Sequence, residues 1–373
     1  MEKVKISSYQ FFVLIFMFEL GSALLLGIGK GAKQDAWLAI LSGLSMGFFL
    51  FYVYYKIFSF YPGISPVEWL RAIYGKVIGW CFGFAMGIYF LYLSARVLRD
   101  FGEMLIISAY PETPRFIITV IMAFCVMYAV KKGMEVMART GEIFFIFVYF
   151  LMIMSFVLIT SSGLINLNYL KPVLENGPMP IMKTMATETI YIPFGETIAF
   201  LSIFPLVDKI KGVKVAGLSA MWLSGTNLAI SMLINTCVLG VDVMMRSPFP
   251  LLTTIQEIQI AHFLERLDVF FMLALIVGGF FKVGIFLYAA CIMFTELFHV
   301  SSYKRTVYPL GLIMLCASVM IASTYAEHID EGIKVVPVLL HLPMQVVFPI
   351  ITLLLILWQE RRKKKNGQKS ASA

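Results

Sequence analysis

Ten stretches of roughly 20 mostly apolar residues follow one another along this chain, each the length that a helix needs to cross the hydrocarbon core at about 1.5 Å per residue. They are Phe11–Gly31, Trp37–Phe60, Ile78–Leu98, Arg115–Val130, Ile143–Thr160, Thr184–Val207, Val215–Val238, Val269–Phe298, Val307–Thr324 and Val335–Trp358. The fourth is short, and the eighth is long enough to tilt or to project into the cytoplasm. Of 373 residues, 14% are charged and 60% hydrophobic, against about 25% charged in an ordinary soluble domain. That leaves too little polar surface to cover a core of this size, so lipid must be the solvent for most of the exterior. The sequence predicts an all-α integral membrane protein. No polar linker divides it, which predicts one transmembrane domain over residues 1–360 and a basic tail over 361–373.

Charge placement sets the topology. Nineteen of the 30 Lys and Arg residues fall on one side of the predicted spans, among them Lys131, Lys132, Arg139 and the tail residues Arg361, Arg362 and Lys363, while ten fall on the other and Lys282 lies within a span. The positive-inside rule then predicts that both termini are cytoplasmic, consistent with an even number of spans. The net charge of +8 is read as a topology anchor touching acidic lipid, with no nucleic-acid partner. Met1-Glu2-Lys3-Val4-Lys5 ahead of an apolar run imitates a signal peptide, but the run is too long, contains Glu19 and lacks a small-x-small cleavage site.

Motifs for soluble chemistry are missing from the sequence: there is no H-E-x-x-H, G-x-S-x-G or EF-hand loop. The four histidines are scattered without metal-ligand spacing, and the five cysteines lie in apolar runs without a C-x-x-C. These features predict no enzyme activity, catalytic residue, metal or cofactor, and buried free thiols packed among helices.

Two spans carry a different signal. The first contains Glu19-Leu20-Gly21-Ser22 and the sixth Tyr191-Ile192-Pro193-Phe194-Gly195-Glu196. They stand five apart, as a five-plus-five repeat with two broken helices requires. Glu19 and Glu196 serve either function or structure, the second as neutral acids bonded to freed backbone carbonyls. Lys282 must find a partner or lose its charge, because a lone ion at that depth costs several kcal/mol. Arg96, Arg99 and Asp100 are read as a snorkelling ion-pair set. Gly79, Gly83 and Gly87 are read as a small-residue stripe for close helix contact, and the loop Asp242–Asp268 as carrying a short amphipathic helix.

The opening Ile6-Ser7-Ser8-Tyr9-Gln10-Phe11-Phe12 leading into Glu19-Leu20-Gly21-Ser22 resembles the B subunits of spore germinant receptors. So do Asn168-Tyr169-Leu170-Lys171-Pro172-Val173-Leu174 with Gly177, Phe194-Gly195-Glu196, and Phe249-Pro250 followed by Glu265-Arg266-Leu267-Asp268. The resemblance implies membership of the amino acid–polyamine–organocation transporter superfamily, with a five-plus-five inverted-repeat (LeuT-like) fold. It also implies A and C partner subunits, the inner membrane of the endospore, and a nutrient germinant (an amino acid or a sugar) as ligand. It maps the broken first span onto Gly21 and Ser22 and the sixth onto Phe194 and Gly195, with Leu93, Val283 and Leu287 as further pocket-facing candidates. Two departures matter: Ala23 follows Gly21-Ser22 where many relatives have a G-x-G, and Lys282 stands where sodium-coupled relatives use a small hydroxyl residue. The expectation is therefore a nutrient sensor without sodium coupling, in which a Glu19–Lys282 pair replaces the coupling cation. The alternative is a proton-coupled amino acid permease.

Overall fold

The computed structural model describes residues 5–258 and 268–371, with side chains to residue 363. Among the described residues the chain is helical apart from loops and one isolated parallel β-bridge between Ile6 and Val207. The helices are α1 (Ser8–Leu26), α2 (Ala36–Phe60), α3 (Pro66–Tyr74), α4 (Lys76–Ser108), α5 (Arg115–Lys132), α6 (Met134–Ser161), α7 (Met179–Thr184), α8 (Ile210–Arg246), α9 (Pro250–Gln256), α10 (Asp268–Leu297), α11 (Val307–Met320), α12 (Tyr325–Lys334) and α13 (Phe348–Ala371). Residues 185–206 and 337–347 are wound irregularly, as π and 3-10 turns.

Seven of these elements are long and apolar enough to cross a bilayer: α1, 30–60, α4, α6, α8, α10 and 337–363. The pair α11 and α12, bent by 103° at the break between them, makes an eighth if taken as one broken span. The protein is thus a multi-pass membrane protein. The expected spans at α5 and at 184–207 fall outside that set. The first carries Arg115, Lys131 and Lys132 within its 18 residues, and the second is not one continuous helix.

α1 lies at the centre, packed on α6, α8 and α10, while α10 in turn packs on α4, α5 and α6. Nearly every α1 residue from Phe11 to Leu25 is buried, as befits a helix that is apolar all round. It starts on a capping box, Gln10 N donating to Ser7 Oγ (3.1 Å) and Ser7 N to Gln10 Oε1 (3.0 Å). It stops at Gly27, whose φ of 62° ends the helix in the left-handed region that glycine adopts freely. Ile6 N donates to Leu206 O (2.8 Å) and Asp208 N to Ile6 O (3.1 Å), which ties the entry to α1 to the end of segment 185–206. α6 turns Ile143, Ile146 and Phe150 outward toward lipid.

Several expectations change here. The first span is unbroken: α1 runs as regular α-helix through Gly21 and Ser22, because the helix-ending glycines come later, at Gly27 and Gly29. Cys237 and Cys291 are buried, but Cys81, Cys125 and Cys316 are exposed. In the loop expected to carry a short amphipathic helix, α9 buries Pro250, Leu252, Thr254 and Ile255 and packs on α1, α8 and α10. The rest of that amphipathic expectation, and Glu265-Arg266-Leu267, lie outside the described residues. The glycine stripe does what its spacing suggested. A Cβ at Gly79 would stand 2.7 Å from the Arg71 Cα of α3, and one at Gly87 3.1 Å from the Phe294 ring of α10.

Candidate functional site

Segment 185–206 is irregular for a local reason. Pro193 has no N–H and disfavours helix at the residue before it, and Ile192 accordingly sits at φ −110°, ψ 119° between two wound stretches. Of the backbone groups there, Gly195 O meets the Tyr54 hydroxyl of α2. Tyr54 Oη donates to Gln345 O at 2.6 Å, with a weaker share to Gly195 O at 3.2 Å. Gln345 Nε2 donates to Tyr89 Oη (2.7 Å), and Tyr89 Oη lies 2.7 Å from His341 Nδ1. With its oxygen accepting from Gln345, Tyr89 points its own proton at His341, which requires a lone pair on Nδ1 and places the imidazole proton on Nε2. Among the described residues Gln345 Oε1 has no hydrogen-bond donor, and it faces the Cα of Gly195.

One residue further on, Glu196 Oε2 lies 2.6 Å from Lys282 Nζ of α10, with both side chains almost wholly buried. The approach is that of a close ion pair. Lys282 Nζ also stands 5.1 Å over the centre of the Phe18 ring of α1, a cation–π contact. This corrects the expected Glu19–Lys282 pair. Glu19 instead turns toward α8, where the Ser224 hydroxyl donates to its Oε2, and its Oε1 has no hydrogen-bond donor. The core therefore holds two carboxylates and one ammonium within three mutually packed elements.

Gly21 serves contact rather than unwinding. A Cβ there would lie 3.0 Å from Lys282 Cδ and 3.1 Å from Gly278 O, and a Cβ on Gly278 would lie 3.2 Å from Gly21 Cα. The α1 and α10 backbones touch at this point, and the aliphatic stem of Lys282 packs directly on Gly21. Ser22 is buried beside it. Phe194 is fully buried against Gly47 of α2. Leu93, Val283 and Leu287 are buried on the seam between α4 and α10, which the Ser94 hydroxyl ties by donating to Val283 O (2.9 Å). The structure thus brings Gly21, Lys282, Glu196 and Gly195 together and leaves Leu93, Val283 and Leu287 on a flanking seam.

Tyr54, Tyr89, Ser224, His341 and Gln345 escaped the sequence reading. The available signal was His341-x-x-x-Gln345, two polar residues one helical turn apart between Pro337 and Phe348 in an otherwise apolar run.

The carboxyl-terminal half of α4 is also built differently from the expectation. Arg99 is fully buried rather than snorkelling, and its Nη1 donates to Ala322 O (2.6 Å) where α11 breaks from α12. Arg115 pairs with Glu103 at 2.6 Å, and His328 Nε2 lies 2.9 Å from Asp100 Oδ1. Arg96 reaches His328 O and Glu331. The cluster fixes the bend to α4, because guanidinium groups satisfy the carbonyls that the break frees.

Comparison with known proteins sets this arrangement in a lineage. Residues 5–326 match the model of a family described as "Spore germination protein". Spore germination protein KB of Bacillus subtilis (strain 168) is 46% identical over 371 residues, covering all of both chains. Spore germination protein YndE of the same organism is 23% identical over 89% of this chain and 90% of its own. Among solved structures, MhsT in complex with L-phenylalanine aligns with a TM-score of 0.66 at 14% identity, covering 96% of this chain and 99% of that one. MHP1, a nucleobase-cation-symport-1 family transporter, aligns with a TM-score of 0.66 at 12% identity, covering 89% and 75%. The helical arrangement is that of transporters.

Proposed function

The chain belongs to the spore germination protein family, and we propose that within it this protein is the membrane-embedded B subunit of a spore germinant receptor. It binds a small nutrient, an amino acid or a sugar, and signals together with A and C subunits in the inner membrane of the endospore. The observation that carries this is the 46% identity over the full length of both chains to a spore germination protein.

The ligand site we place where segment 185–206 meets α1, α10 and 337–347. Gly21, Ser22, Phe194 and Gly195 lie on one side, and Leu93, Val283 and Leu287 on the apolar flank. Two buried acceptors without donors, Gln345 Oε1 and Glu19 Oε1, suit the ammonium or hydroxyl donors of such a nutrient. The carboxylate in excess over Lys282 suits a cationic group. Glu19, Glu196 and Lys282 are the coupling residues in this account. The ten-span, five-plus-five arrangement belongs to the same proposal: α1, α2, α4, α5 and α6 form the first half, and segment 179–206, α8, α10, α11 with α12, and 337–360 the second. Both termini are cytoplasmic, and residues 361–373 form a basic tail outside the single transmembrane domain. A ligand that prefers one position of segment 185–206 shifts the population of states. The Ile6–Leu206 tie carries that shift to the amino-terminal end of α1, where partner subunits read it.

The transporter fold of the aligned structures favours one other reading, a proton-coupled amino acid permease, since fold alone does not fix function. Spores with this protein as their only B subunit separate the two. Germination is expected to vanish when either the A or the C subunit is deleted, and the purified protein in liposomes is expected to accumulate no nutrient under a proton gradient. Normal germination without the A subunit refutes the partner dependence, and proton-driven uptake by the isolated protein establishes the permease.

A further inference from the structure

α6 and α8 both pack on α1 without substantial packing on one another, and between them opens a cavity of about 240 Å³. Its floor is the contact between Gly21 and Gly278, and Leu251 of α9 and Phe271 of α10 close it toward the outer end. Among the described residues, no charged side chain lines it. The amide of Asn227 on its wall donates back to Leu223 O of its own helix (2.8 Å). A zwitterionic nutrient stripped of water here would leave both its charges unmatched, at a prohibitive cost. An apolar occupant meets no such cost, and the volume exceeds the roughly 150 Å³ of an engineered apolar cavity that takes up benzene.

The mouth decides which apolar occupant. Ile153 and Phe156 of α6 and Ile230 of α8 line it and are 54%, 49% and 44% exposed. Ile153 and Phe156 belong to the outward face of α6 that meets lipid and Ile230 is exposed beside them on α8, so the cavity is continuous with the hydrocarbon of the bilayer. We infer that it is a binding site for one acyl chain of a bilayer phospholipid, which enters between α6 and α8 and ends against the Gly21–Gly278 contact. The chain end then lies one residue's thickness from the stem of Lys282, on the opposite side of α1's glycine from the Lys282–Glu196 pair. Lipid occupancy thereby bears on the α1–α10 contact independently of any nutrient.

Photolabelling of the purified full-length protein tests this. It is reconstituted in nanodiscs containing a phosphatidylcholine with a diazirine near the end of one acyl chain, irradiated, and mapped by peptide mass spectrometry. Label on Met152, Leu20 and Ser231 is expected to exceed severalfold that on Ile121 and Phe124, which face lipid from α5. Ala274→Phe, which fills the cavity from α10, is expected to remove the excess while α5 labelling stays unchanged. Ser231→Phe fills it from α8 and gives the same reading if the first variant folds poorly. Lining residues labelled no more than α5, or an excess that survives filling, overturns the inference.

Discussion

Glu19, Glu196 and Lys282 share one apolar interior, and the structure assigns the ammonium to Glu196 alone. Removing one partner of a buried pair strands the other, which typically costs about 3–5 kcal/mol. Lys282→Met and Glu196→Gln are therefore each expected to lower the Tm of the purified protein sharply. The double variant is expected to recover much of the loss, because neither charge is then left alone. Glu19→Gln combined with Lys282→Met is expected to be closer to additive, since Glu19 is held by Ser224. A larger coupling energy for Glu19 than for Glu196 in these cycles contradicts the assignment. The sequence revealed that all three charges were expensive, but not how they pair. Depth along a helix follows from counting residues, whereas partner choice depends on helix rotation, which the side chains packed around α1 and α10 decide.

Two glycines show how much of each element was legible. Pro193 with Gly195 announced an irregular sixth segment, because a proline in a helix interior removes a donor and clashes with the preceding turn. Gly21-Ser22 gave the same kind of hint and the helix runs straight through it. Glycine permits unwinding without requiring it, and here its small size admits Gly278 and the Lys282 stem. Gly21→Ala is expected to destabilise by about 1–3 kcal/mol through overpacking, read as a lowered Tm, and Gly21→Leu to abolish the germinant response. Wild-type stability for Gly21→Ala rules out the close contact. Gly195→Ala places a Cβ against both the Gln345 amide and the Ile190 carbonyl, so it is expected to impair the response. Unchanged germinant sensitivity in Gly195→Ala places the ligand elsewhere. The charge cluster on α4 was legible only as charges: that Arg99 would cap the broken end of α11 depends on a bend 223 residues away in sequence, between α11 and α12.

For the molecule as a whole, composition and hydropathy were enough for the class of protein, since no soluble arrangement buries so much apolar surface. The orientation they imply is tested by single cysteines at Ser370 and Lys334 in a background without Cys81, Cys125 and Cys316. An impermeant thiol reagent is expected to label the two from opposite sides of the membrane, and labelling of both from one side contradicts cytoplasmic termini. The central claim is that this transporter-like fold recognises a nutrient at the junction of segment 185–206 with α10 and 337–347. Thermal unfolding of the purified protein across a panel of amino acids and sugars measures it most directly, with Gln345→Ala and Glu196→Gln/Lys282→Met alongside. At least one nutrient is expected to raise the Tm of the wild type and to leave both variants unmoved. A nutrient that stabilises all three proteins equally, or a panel that stabilises none, contradicts it.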